Sequence, residues 1–322
     1  MKHLPTAFLA AALALPGAAF AQTAWDMPTP YPDGNFHEKN IAQFISQVND
    51  KAGDAVKITL HPNQSLIKHA DIKNSVRDGI VPIGELLVSR LENESPIFGV
   101  DSVPFLATSY DEAFKLYQAQ KPLMEKALEK DGLKLLFSVP WPPQGLYTKE
   151  KVETIPDLSG KSFRAYNKST EQLASDAGMV PTQIEAADIP TAFSTGRVAV
   201  MMTSPSTGVD SKVWDFLQYY YPLNAWLPRN MVIVNQSAFD ALPEGAQTAI
   251  MDAAAAAEKR GWDASKEETQ RTTDLLKENG IEVVEPSAEL KQGFQKIGEK
   301  MTEAWKQSAG EDGETLLDAY RK

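Results

Sequence analysis

The sequence predicts an α/β protein built mainly on parallel sheets, and three observations carry that reading. Short β-rich runs alternate with helical periodicity along the first two thirds of the chain, the pattern of strands joined through helices. The run Val198 to Met202 is apolar at every position, as expected of a strand covered on both faces. From Pro243 to Glu278 the composition turns to Ala, Glu, Lys and Gln. A helix of that length would reach roughly 50 Å, more than one small domain spans.

Taken in order, Ile41, Phe44, Ile45 and Val48 recur at helical spacing, and Val56, Ile58 and Leu60 then alternate as in a half-buried strand. The apolar run Ile80 to Ile83 follows a glycine and is expected to form the next strand. Tyr110 to Lys130 reads as one helix, or as two broken near Pro122, ended by Gly132. Leu133 to Phe137 is then a strand. The alternation continues with a strand over Lys161 to Tyr166 and a helix over Ser169 to Ala177. A further helix covers Ala187 to Thr195, with Pro190 in its first turn, where a missing N–H is tolerated. The aromatic stretch Phe216 to Trp226 leads into a strand at Met231 to Val234. The Ala- and Glu-rich stretch after Pro243 is either a single helix or two helices meeting at Gly261. The length of 322 residues fits one large or two medium domains.

The first residues read as an address. Lys2, a small-residue and apolar run from Ala7 to Phe20, and Ala19-Phe20-Ala21 form the pattern of a secretory leader over residues 1–21, cut after Ala21. Its apolar core falls short of the ~20 residues of a membrane span, which disfavours the alternative of an anchor helix. The mature chain is therefore expected in the bacterial periplasm. It has no cysteine, hence no disulfide, no thiol nucleophile and no site for a lipid anchor. A chain of this size buries enough apolar surface without cross-links.

The formal net charge is −11, and loss of Lys2 with the leader makes the mature chain one unit more negative. With no basic tract, nucleic acid and anionic lipid are excluded as partners. An acidic protein that binds anions must do so through a local, buried cation. Enzyme signatures are missing: there is no GxSxG, HExxH, GxxxxGK[ST] or GxGxxG. His61 and His69 flank a loop without a carboxylate pair at ligand spacing, so neither a metal nor a cofactor is implied.

Several segments together resemble the solute-binding proteins of tripartite ATP-independent periplasmic (TRAP) transporters, the dicarboxylate-binding-protein-like family. Asp157-Leu158-Ser159-Gly160-Lys161-Ser162-Phe163-Arg164 is similar to the family's Asp-Leu-x-Gly-x-x-x-Arg segment. Val76-Arg77-Asp78-Gly79, Val103-Pro104-Phe105-Leu106, Val180-Pro181-Thr182 and Ala241-Leu242-Pro243-Glu244 occur in family order across nearly the whole mature chain. The resemblance implies two α/β lobes, a long helix crossing both, a ligand cleft that closes like a hinge, and delivery of a small organic acid to membrane permease subunits driven by an ion gradient. On that basis one lobe is expected over residues 22–142 and 231–270, the other over 143–230 and 271–322.

The family's arginine that holds the ligand carboxylate corresponds here to Arg164. A planar guanidinium suits that task, making two parallel charge-assisted hydrogen bonds. Without the resemblance, a surface strand arginine paired with an Asp is the ordinary reading. Where the family often has a second arginine, this chain has Gln144, within Trp141-Pro142-Pro143-Gln144; the missing charge puts a second ligand carboxylate in doubt. After the buried strand only Thr203 and Ser204 remain as polar candidates, either ligand donors or helix caps. Glu85 either accepts from a ligand hydroxyl or amine, or is a solvated turn residue, and Asn230 is similar. Tyr31, Phe36, Trp141 and Trp226 are either apolar walls of the cleft or ordinary core. One clear arginine among aromatics points to a monocarboxylate with an apolar or aromatic body. The competing classes are a sensor accessory presenting the same ligand and a periplasmic hydrolase or lyase using a carboxylate pair.

Overall fold

The computed structural model describes residues 23–322. The expected leader, residues 1–21, and its cut after Ala21 lie outside the described residues. The first lobe opens with β1 (Thr23–Pro28), α1 (Phe36–Lys51) and β2 (Val56–His61), then α2 (Ile72–Arg77), β3 (Ile83–Leu87), α3 (Tyr110–Glu129) and β4 (Leu133–Pro140). The chain crosses to the second lobe for β5 (Gly145–Thr148), β6 (Ser162–Ala165), α4 (Lys168–Asp176), β7 (Val180–Gln183) and α5 (Ile189–Ser194). The same lobe adds β8 (Val200–Thr203), α6 (Pro205–Asp210) and β9 (Tyr219–Tyr221). It returns through β10 (Arg229–Asn235), α7 (Gln236–Asp240) and α8 (Glu244–Glu278), and ends in β11 (Glu282–Val283) and α9 (Ala288–Arg321).

The strands form a β1–β2 pair, a three-stranded sheet in the order β3-β10-β4, and a six-stranded sheet in the order β11-β9-β5-β8-β6-β7. The pairs β1–β2, β6–β7, β6–β8 and β9–β11 are parallel. Every antiparallel pair contains β5 or β10. These are the two strands that the chain enters straight from the other lobe, with no helix between. Strand–helix alternation thus gives parallel pairing where it operates, while the two crossings make the six-stranded sheet mixed and the three-stranded sheet antiparallel throughout.

The helix over Tyr110–Glu129 is single, opened by a capping box of Ser109 and Glu112. Pro122 is tolerated because it lies on the exposed face, where the Gln118 carbonyl it leaves unbonded meets water. The helix α8 is likewise single and packs on α1 and β4 of one lobe and on α6 and β11 of the other. Gly261 does not break it. A Cβ there would come within 2.4 Å of Val139 and 2.8 Å of Asn40, so glycine is what lets the helix lie against β4 and α1.

The expected strand at Ile80–Ile83 is corrected: Ile80 is 72% exposed, and β3 begins at Ile83. Ile80 belongs to the turn that follows α2, and the buried run continues instead through Gly84, Glu85 and Leu86. The helix α9 starts on the second lobe, beside α4, and its later half packs on α3. Trp305 donates from its indole to the Pro96 carbonyl at 2.7 Å, and the Tyr320 hydroxyl donates to Leu106 O at 3.0 Å. The segment 271–322 thus packs both on α4 and on α3.

Candidate functional site

The cleft between the lobes is built around β6. Side chains on a strand alternate between faces; Phe163 and Ala165 enter the core of the second lobe, and Arg164 is presented to the other side. Arg164 is only 4% exposed, yet its one bond to protein runs from Nε to the Ile184 carbonyl at 2.9 Å. Neither terminal nitrogen has a hydrogen-bond or ion-pair partner among the described residues. The guanidinium lies over the Tyr166 ring, 4.8 Å from its centre, a favourable cation–π arrangement. Burial pulls its pKa down to about 10, more than the nearby charge of Glu185 offsets. A buried cation held in place but left unpaired is poised for an anion.

The surrounding cleft is open to solvent on one side, and its walls come from both lobes. Tyr31, Trp141, Gln144, Arg164 and Thr203, all singled out in the sequence, line it. Tyr31 meets Trp141 edge to face at 4.8 Å. Gln144 sits on the first crossing; its amide donates to the Pro142 carbonyl at 2.9 Å, and its oxygen accepts from the Tyr166 hydroxyl at 3.2 Å. The two crossings bond to each other, Gln144 N to Trp226 O at 2.9 Å and Trp141 N to Pro228 O at 2.8 Å. Next to the first crossing, Gly145 lets β5 lie close against β9, since a Cβ there would lie 2.4 Å from the Tyr220 ring.

The structure places the other five candidates behind this wall. Asn230 is a buried hub: its carbonyl oxygen accepts from Tyr31 Oη at 3.2 Å and from the Trp141 indole at 2.9 Å, and its amide donates to Glu85 at 2.9 Å. It orients two residues of the cleft without facing it. Glu85 is not a turn residue but the middle of β3, and burial together with the charge of Glu38 drives its carboxyl well above the ordinary range. Trp226 donates to the Tyr166 hydroxyl at 3.1 Å, and Phe36 packs edge-on against Trp141 at 5.4 Å. Ser204 caps α6, accepting from Thr207 N at 3.0 Å.

The sequence reading missed Tyr166, His69, Arg90, Glu185 and Thr207. Glu185, just after β7, pairs with Arg90 Nη1 at 2.9 Å and with His69 Nδ1 at 3.3 Å. The Leu87 N–H donates to His69 Nε2 at 3.2 Å, so the proton of a neutral imidazole must sit on Nδ1 and point at Glu185. Burial lowers the pKa of His69, in keeping with that neutral form. Burial opposes the charge of Glu185, but the bond from His69 and the nearby charges of Arg90 and Arg164 outweigh it and bring the carboxyl to about 2. These pairs join the lobes, as do Asn167 Nδ2 to Ser89 Oγ at 2.8 Å, Ser169 Oγ to Glu92 at 2.7 Å and Asn35 Nδ2 to Asp210 at 2.6 Å. Tyr166 had a signal, two residues beyond Arg164; Arg90 and Glu185 had none, because their meeting is made by the packing of the lobes. Among the described residues no cluster of three or more His, Asp or Glu side chains is placed to hold a metal.

A site of this kind can hold an anion. Comparison with known proteins agrees with that chemistry. The family of bacterial extracellular solute-binding proteins, family 7 (DctP), matches residues 29–312. The structure is similar to that of DctP7, a Bordetella pertussis extracytoplasmic solute receptor binding pyroglutamic acid. The two are 45% identical, with a TM-score of 0.92, over 93% of this chain and 100% of that one. A marine metagenome TRAP solute-binding protein specific for pyroglutamate is 38% identical, with a TM-score of 0.92 over 94% and 99% of the two chains. The 2,3-diketo-L-gulonate-binding periplasmic protein YiaO of Escherichia coli is 25% identical over 75% of each chain.

Proposed function

This chain belongs to the bacterial extracellular solute-binding proteins of family 7, and we propose that it is the periplasmic receptor of a TRAP transporter for a small monocarboxylate with a compact, largely apolar body. The observation that carries the ligand class is Arg164, buried, unpaired at both terminal nitrogens and facing an aromatic-walled cleft. Pyroglutamate is the first candidate. It has one carboxylate for Arg164 and a small ring for the aromatic walls of Tyr31, Trp141 and Tyr166. The two pyroglutamate-binding receptors also stand at 45% and 38% identity over nearly the full chain.

In this reading the lobes divide near residues 142 and 230, where the paired crossings act as hinges, and α8 carries the strain of closing between them. The ligand completes the charge of Arg164 and so favours the closed state. The closed receptor then docks on the permease subunits and releases the acid. Turnover is not part of the scheme: acid recovered from the purified protein should be chemically unchanged. Export by removal of residues 1–21 predicts a mature mass beginning at Gln22.

The test is a thermal-shift screen of residues 22–322 against monocarboxylates, dicarboxylates, sugars and amines. At a ligand concentration 100 times Kd, binding should stabilise the fold by ~2.7 kcal/mol, a melting shift of several degrees. Shifts with pyroglutamate or similar monocarboxylates support the proposal; shifts only with sugars, amines or metals reject it.

A further inference from the structure

Three charged side chains line the cleft: Arg164, Arg90 and Glu185. Arg90 stands on the turn over Val88–Leu91, across the cleft from Arg164. It is therefore a second cation in the site, the charge that Gln144 does not supply. Its Nη1 is 2.9 Å from Glu185 Oε1 and also points at the Tyr166 carbonyl at 3.4 Å. The other oxygen of Glu185 accepts from the neutral His69 at 3.3 Å. Arg90 is thus bonded by a carboxylate of the protein itself, while Arg164 has no carboxylate at hydrogen-bond distance and feels Glu185 only as a nearby charge.

We infer that Glu185 is the specificity residue of this receptor: it occupies Arg90 as a built-in carboxylate, leaves one net positive charge in the cleft, and so selects ligands with one carboxylate over ligands with two. The inference rests on the monocarboxylate reading above and deepens it. With one ligand carboxylate on Arg164 the cleft is electrically neutral. A second carboxylate would have to reach Arg90, where Glu185 already sits, and two carboxylates competing for one guanidinium in a desolvated site repel each other. Discrimination of this kind comes from an element that opposes the wrong ligand, not only from one that attracts the right one. The carboxyl of Glu85 is not part of this balance: it lies behind Tyr31 and Trp141, bonded to the Asn230 amide at 2.9 Å, and does not line the cleft.

Glu185 also ties the lobes together, because Arg90 and His69 come from the first lobe and Glu185 from the second. Weakening that tie raises the Kd of every ligand alike, so the preference between two acids, not the affinity for one, is the diagnostic quantity. The experiment is isothermal titration of wild type, Glu185→Gln and Arg90→Gln with L-pyroglutamate and with glutarate, a dicarboxylate of the same carbon count. Wild type should prefer pyroglutamate. Glu185→Gln frees Arg90, and the preference should move toward glutarate by about tenfold or more. Arg90→Gln removes the second cation and should move it the opposite way, which gives an independent reading should Glu185→Gln fold poorly. A preference that stays within about threefold of wild type in a folded variant overturns the inference. So does loss of pyroglutamate in Glu185→Gln with no gain of glutarate, which would make Glu185 a ligand contact or a latch alone. Failure of wild type to bind any monocarboxylate would instead overturn the receptor reading, and this inference with it.

Discussion

Replacing Arg164 with methionine separates a binding arginine from a structural one, because the two roles predict opposite signs for the ligand-free protein. Arg164 is 4% exposed and faces no carboxylate at bonding distance, and burial lowers its pKa from 12.5 to about 10. That depression corresponds to ~3 kcal/mol of unfavourable burial, present in full at neutral pH and fading only as pH rises through 10. Methionine removes the penalty and keeps the stem packed on Tyr166. It also forfeits the bond to the Ile184 carbonyl and the cation–π contact, together ~1–3 kcal/mol. The balance lies between about zero and 2 kcal/mol in favour of the variant, so its ligand-free melting temperature should stay level or rise by a few degrees. Affinity should change the other way. Truncating one partner of a buried charge pair costs ~2–5 kcal/mol, roughly 30-fold to several thousandfold in Kd. Scanning fluorimetry without ligand and calorimetric titration with pyroglutamate read the two quantities. A ligand-free melting point lower by more than a few degrees, with affinity intact, would refute the argument and make Arg164 a structural residue.

Three further outcomes follow from the packing around the cleft. Asn230→Leu removes the shared acceptor of Tyr31 and Trp141 and the donor to Glu85, and at ~1–3 kcal/mol per stranded buried group it should lower the denaturation midpoint clearly and weaken ligand binding; an unchanged midpoint contradicts the hub role. Gly261→Val should destabilise by ~1–3 kcal/mol or more through collision with Val139 and Asn40, read as a shifted urea midpoint; a neutral result would mean that α8 shifts freely on β4. Glu38 is held to about 7 chiefly by burial, against the bond from Thr29. Its folded-state pKa lies above the unfolded value, so the folded chain binds the proton more tightly, and stability should fall by ~3 kcal/mol as pH rises from about 4.5 to 7. Glu38→Gln should flatten that part of the stability profile, and an unaltered slope would place the titration elsewhere.

What could be read from the sequence, and what could not, follows from the range of the interactions involved. Ile41, Phe44, Ile45 and Val48 announce α1 because helical periodicity is local, and all four are buried. The α8 helix was legible in composition, but whether Gly261 interrupts it was not, since that depends on Val139 and Asn40 approaching from elsewhere in the chain. The strand β3 was displaced because Ile80 looks apolar in sequence, whereas only its three-dimensional position leaves it in water. Arg164 was legible through the Asp157–Arg164 segment, and Tyr31, Trp141, Gln144 and Thr203 do line the cleft. Asn230 and Trp226 lie one layer back, bonded to Tyr31, Trp141 and Tyr166, a distinction of a few ångströms that no motif encodes. Arg90, His69 and Glu185 come from three separate segments and meet only when the two lobes do.

The most direct measurement is a crystal structure of residues 22–322 grown with L-pyroglutamate. The account predicts the ligand carboxylate on both terminal nitrogens of Arg164, the ring between Tyr31, Trp141 and Tyr166, and the Arg90–Glu185 pair intact across the closed lobes. A ligand carboxylate on Arg90 with Glu185 turned away, or a ligand bound outside this cleft, would contradict it.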